Sequence, residues 1–168
     1  MDELRARQIA EEAHKDHKNS KTGAPYFAHV KRVAAYADRF AYHALDSHFE
    51  VTDIEGQSQF LTDCAVVAWL HDVLEDHPKM ALTFWNELNE VQAEALLLMT
   101  HEKNEPYADY IDKGKYNRIF RVVKLADLED NTDPERRHLL DEETVARLDK
   151  KYLPAKEKLN AIERAAVR

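Results

Sequence analysis

Cys64-Ala65-Val66-Val67-Ala68-Trp69-Leu70-His71-Asp72-Val73-Leu74-Glu75-Asp76 runs from seven consecutive apolar residues straight into one imidazole and three carboxylates. The apolar part reads as a helix buried on all sides, placed from about Gln59 to Leu74, with Pro78 following its end. Ionisable groups at the end of a buried helix need partners or a metal, because an unpaired charge out of water is costly. On a continuous helix, His71 and Glu75 project together, as do Asp72 and Asp76.

Outward from this stretch the chain keeps a helical rhythm. Three glycines and five prolines in 168 residues leave little turn chemistry for hairpins, so the expected fold is an all-α bundle in a single domain, residues 1–168. A first helix is predicted over residues 3–17, with Leu4, Ile9, Ala10 and Ala13 as its apolar stripe. Lys15 to Ala24 form a polar, basic loop, and Pro25 opens a second helix in which Val30, Val33, Ala34, Ala37 and Ala41 recur at helical spacing. Leu45 to Ser58 is polar and acidic and reads as a long connection or lid. A helix over 83–99 with a Thr83 cap, a short one over Tyr107 to Lys113 and another over Asn117 to Leu128 follow. The C-terminal segment 142–167 is amphipathic, with a kink or break expected at Pro154.

A formal charge of −8 argues against a nucleic-acid-coating surface, so nucleic acid is not the expected partner. Cys64 is the only cysteine, which excludes an intrachain disulfide and a thiolate zinc cluster; its neighbours mark it as a buried structural thiol. Met1 to Ala13 lacks the apolar core of a signal peptide, and no apolar run approaches a membrane span. The expected location is the cytoplasm, with no membrane partner.

A divalent ion held at His71 and Asp72 needs further ligands from other helices. Two candidates stand out: His29, near the start of the second helix, and Asp127, at the end of Val122-Val123-Lys124-Leu125-Ala126-Asp127.

The order His, His-Asp, Asp resembles the signature of the HD phosphohydrolase superfamily. Gly23-Ala24-Pro25-Tyr26-Phe27-Ala28-His29 is similar to the G-x-P-Y-x-x-H segment of RelA/SpoT-type alarmone hydrolase domains. His71-Asp72-Val73-Leu74-Glu75-Asp76 is similar to their H-D-x-x-E-D, and Lys124 to Asn131 to their K-L-A-D-x-x-x-N. These blocks lie between residues 14 and 131. The resemblance implies an HD-domain helical bundle in which His29, His71, Asp72 and Asp127 bind one divalent cation, commonly Mn²⁺. It implies that Glu75 and Asp76 orient or activate the attacking water and that Asn131 helps hold the nucleotide. Lys18 and Lys103 occupy positions resembling those of phosphate contacts in these hydrolases, although the family tends to carry arginine where Lys15, Lys18 and Lys21 stand here.

The expected activity is therefore removal of the 3′-pyrophosphate from guanosine tetra- or pentaphosphate, a small-molecule nucleotide. The alternatives are an HD-domain nucleotidase acting on another nucleotide and a non-catalytic, metal-bound nucleotide sensor. Six further histidines, His14, His17, His43, His48, His77 and His138, lie in polar sequence and read as solvated surface groups, and Lys124 can equally be a snorkelling surface lysine. Tyr26, Tyr107 and Tyr110 are either core residues or stacking surfaces for a base.

Overall fold

Helices that are apolar all round must be covered all round. α3 (Ile54–Leu70), apolar all round in its second half, forms the centre of the protein with α8 (Arg118–Asn131), which is buried although it carries charged residues. In a computed structural model that describes residues 1–20, 22–47 and 54–166, the second half of α3 and nearly all of α8 are buried. α2 (Phe27–Ser47) packs against both, and α1 (Glu3–His14) covers α3. The α2 seam is Val30, Val33, Ala34, Ala37, Ala41 and Ala44, whose small side chains let the helices approach closely. α6 (Glu90–Met99) touches α3 and α8, α7 (Tyr107–Gly114) touches α6, and α10 (Glu142–Ala166) closes over α7 and α8. Three short helices complete the fold: α4 (Val73–Asp76), α5 (Pro78–Phe84) and α9 (Pro134–Arg137). The protein is an all-α helical bundle; among the described residues there is no strand, only an isolated bridge between Lys18 and Pro25.

Several predicted boundaries move, each for a local reason. α1 is capped by Asp2, which accepts from Arg5 N at 2.8 Å, and it stops at His14 rather than at residue 17. Beyond it a loop takes over the backbone pairing: Asn19 N donates to Ala24 O and Tyr26 N to His17 O, both at 2.8 Å. Gly23, at φ +69°, supplies the left-handed turn that loop requires. Leu45 to Ser58 is not a long connection, because α2 continues to Ser47 and α3 begins at Ile54; residues 48–53, including His48, lie outside the described residues.

The central helix ends at Leu70, not Leu74. The ring of His71 bonds the carbonyl of Ala68 through Nδ1 at 2.8 Å, Asp72 turns at φ −100° and ψ −7°, and α4 restarts the helix at Val73. The predicted 83–99 helix is split into α5, a 3₁₀ turn (Trp85–Glu87) and α6. Asn89, not Thr83, is the cap, forming a reciprocal capping box with Gln92, while the Thr83 hydroxyl donates to Met80 O. α10 runs on through Pro154, which is exposed, without a break.

Candidate metal centre and reaction cavity

His29 lies in the first turn of α2, His71 immediately after α3, and Asp127 in α8, one turn before its end at Asn131. All three are buried, and each offers one ligand atom within 4.8 Å of the other two. Asp72 stands beside them: its Oδ2 is 3.0 Å from His71 Nε2 and 3.6 Å from His29 Nε2. His29 Nε2 also lies 3.5 Å from Asp127 Oδ1. The four predicted ligands are thus brought together, although 98 residues of sequence separate His29 from Asp127.

The far nitrogens of both rings are engaged. His71 Nδ1 donates to Ala68 O, and His29 Nδ1 lies 2.6 Å from Asp130 Oδ2. With the protons held on Nδ1, both Nε2 lone pairs face the cluster, the arrangement in which carboxylates and carbonyls orient metal-binding imidazoles. His71 Nε2 is buried and makes no hydrogen bond. An orphaned imidazole nitrogen among carboxylate oxygens fits a divalent cation with mixed nitrogen and oxygen preference.

The electrostatics agree. Burial opposes a charge on His71, yet the carboxylates of Asp72 and Asp127 outweigh it and raise its pKa. Burial likewise opposes ionisation of Asp72, but His71 and His29 hold it well below the usual carboxylate range. Asp127 is also depressed against its burial, chiefly by Lys124. Such a cluster draws positive charge to itself. Asp127 is held on both sides, accepting from Lys124 Nζ at Oδ2 (2.8 Å) and from Asn131 Nδ2 at Oδ1 (2.6 Å). The Tyr26 hydroxyl donates to Asp72 Oδ2 at 2.5 Å.

The chain matches no protein-family model and no curated protein. Among the described residues no helix is long and apolar enough to cross a membrane.

His29, Asp72 and Asp127 of the cluster line a polar cavity of about 320 Å³, together with Glu75 and Asp76. Partial burial, supported by the charge of Asp72, raises the pKa of both carboxyls. Glu75 Oε2 accepts from His101 N at 3.2 Å. Asn131 lines the cavity, but its side chain steadies Asp127. Lys18 and Lys103 are exposed and do not line it.

The cavity cations are instead Lys124, Arg136 and Lys151. Lys124 is no surface lysine: it is buried, and Asp127 keeps its pKa well above the ordinary value despite the cost of burial. Tyr107 and Tyr110 form an aromatic wall under it, with Lys124 Nζ 4.9 Å from the Tyr110 ring centroid and Lys151 Nζ 4.4 Å from that of Tyr107. The Tyr107 hydroxyl is buried without a partner. Sequence reasoning did not single out Asp130, Arg136 or Lys151; Asp130 carried a faint signal, as the carboxylate one helical turn beyond Asp127.

Proposed function

We propose that the protein is a divalent-metal-dependent phosphohydrolase of the HD type, with guanosine tetra- or pentaphosphate as substrate and loss of the 3′-pyrophosphate as its reaction. The observation that carries the reading is the convergence of His29, His71 and Asp127 within 4.8 Å, beside Asp72, next to a cavity that His29, Asp72 and Asp127 line together with cations and the carboxyls of Glu75 and Asp76. The choice of substrate rests on the three sequence blocks and their resemblance to the alarmone hydrolases.

His29, His71, Asp72 and Asp127 would hold the ion, with Mn²⁺ the one the resemblance implies. When bound, a divalent ion there supplies a Lewis acid for phosphoryl oxygens and lowers the pKa of water. Asp130 and the Ala68 carbonyl keep both imidazoles in the ligating tautomer. Lys124, Arg136 and Lys151 offset the negative charge of a diphosphate, and Tyr107 and Tyr110 offer ring faces to the nucleoside. Glu75 takes the proton of the attacking water, a task favoured by its raised pKa, and Asp76 helps position that water. The overall change is tetraphosphate plus water to GDP plus pyrophosphate.

The test is a nucleotide panel with Mn²⁺, its products separated by ion exchange. GDP and pyrophosphate from the tetraphosphate are expected, with the 5′-diphosphate intact. Orthophosphate from simple nucleotides with the tetraphosphate untouched would leave an HD nucleotidase. Tight nucleotide binding without turnover would leave a sensor. Asp127→Ala should lose stoichiometric metal and nearly all activity.

A further inference from the structure

A second cluster lies one side chain away from the centre. His14 closes α1, His17 follows in the loop, and His77 sits at the junction of α4 and α5; each ring places one nitrogen within 4.8 Å of the other two. None is the solvated surface histidine its sequence surroundings suggest: His14 is 1% exposed, and His17 and His77 are half-buried. The His77 Nε2 atom is buried with no hydrogen-bond partner.

We propose that His14, His17 and His77 form a second cation site, selective for a transition ion of the Zn²⁺ type. The proposal is independent of the hydrolase reading.

Zn²⁺ binds imidazole nitrogens at 2.0–2.1 Å, which sets neighbouring tetrahedral ligands about 3.4 Å apart. His14 Nδ1 and His17 Nδ1 are 3.1 Å apart, a spacing a shared ion accepts. Three imidazoles leave a fourth position, and Asp76 Oδ2, 3.6 Å from His17 Nδ1, lies close by. The cluster is well braced. Tyr26 stacks on His17 at 4.2 Å between centroids with 12° between planes, and the His14 and His77 rings meet edge to face at 4.9 Å. An ion here ties the end of α1 to the α4–α5 junction, beside the reaction cavity that His17 and Asp76 both line.

The competing account is a hydrogen-bonded histidine pair packed on Tyr26. Chelator-treated full-length protein titrated with Zn²⁺ separates the two. Asp127→Ala, which removes a ligand of the first proposed centre, should still bind one ion. In the Asp127→Ala background, His17→Gln and His77→Gln should each weaken the remaining ion by more than about 100-fold, since even outer-shell changes cost 10–100-fold. Co²⁺ in that background should give a tetrahedral absorption band that both substitutions abolish. Should the variants fail to fold, long-range ¹H–¹⁵N spectra of the unmodified protein decide, with ring nitrogens of His14, His17 and His77 shifting on Zn²⁺ addition. Unshifted ring nitrogens, or Zn²⁺ affinity indifferent to both histidine substitutions, overturns the proposal.

Discussion

Asp130 is fully buried yet carries a charge, and the magnitude of its role can be worked from its partners. One oxygen lies 2.6 Å from His29 Nδ1, the other accepts from Arg32 Nε at 2.5 Å, and Arg136 pairs with the same carboxylate. Removing one partner of a fully desolvated ion pair costs about 3–5 kcal/mol. Here the arginines are wetter, with side-chain exposures of 40% for Arg32 and 27% for Arg136, so water replaces part of what they lose. Asp130→Ala should therefore destabilise the fold by about 2–3 kcal/mol, a reduced share of that range. It should also free the His29 ring to rotate and weaken Mn²⁺ binding by about 10–100-fold, the usual effect of losing a carboxylate behind a ligating histidine. Asp130→Asn keeps an acceptor for His29 Nδ1 and should hold the Mn²⁺ affinity within about tenfold of wild type. Isothermal titration with Mn²⁺ and urea unfolding at one pH read the two effects separately. If Asp130→Ala loses stability but binds Mn²⁺ within roughly threefold of wild type, Asp130 is an ion-pair residue only and the orienting role is refuted.

Three further outcomes are expected. Glu75→Gln should lower turnover by roughly 10²–10⁴-fold with metal still bound; loss of metal in elemental analysis would make Glu75 a ligand, and unchanged turnover would make it a solvated helix end. The neutral burial of His14 should show in the pH dependence of unfolding measured with chelator present. Its folded pKa near 4 lies below the ordinary 6.5, so the unfolded chain binds the extra proton: stability is complete above pH 6.5 and falls as pH drops towards 4, by about 2 kcal/mol between pH 7 and pH 5. Comparison with His14→Gln isolates this contribution, and equal slopes in the two proteins would contradict it. Gly114→Ala should destabilise by about 1–3 kcal/mol in urea titration, because the added methyl meets the buried Phe120 ring at 2.5 Å; an unchanged midpoint would mean that the ring can move.

What the sequence made legible were properties of single helices. The α2 stripe from Val30 to Ala41 is a period, and a period is local. The four proposed ligands were legible because charged residues at the ends of apolar runs stand out from their neighbours. Lys124 was ambiguous for the opposite reason: a lysine inside an apolar helix is a snorkelling surface residue unless something neutralises it, and Asp127, three residues on, does so only because the bundle buries both. The histidines of α1 and of the α4–α5 junction were misjudged because polar sequence neighbours say nothing about spatial ones. His17 and Tyr26 stack through a loop, and His77 reaches them from 60 residues away. Lys18 and Lys103 stand at positions that resemble phosphate contacts of the alarmone hydrolases, yet Arg136 and Lys151 line the cavity and they do not. Which cation faces a cavity depends on how α9 and α10 fold back over α8, and no window of sequence contains that.

The position of the centre follows from the chain direction. α2 presents its first turn to the cluster, α3 its C-terminal end and α8 its C-terminal half, so α2 runs against both helices it packs on. Helix C-termini carry partial negative charge and favour cations within the last turn. α3 ends in this way at the cluster, beside the carboxylates of Asp72 and Asp127. An all-α fold has few places where backbone polarity can act on a ligand, since along a helix the dipoles are paired internally. The end of α3 is such a place, opened by the helix break at His71 and Asp72. Had α3 continued to Leu74 as its apolar pattern suggests, Ala68 O would have been engaged by a backbone amide rather than by the His71 ring. Nothing would then fix which ring nitrogen faces the carboxylates. The break in the helix and the His71 tautomer that the proposed metal role needs therefore meet in one hydrogen bond.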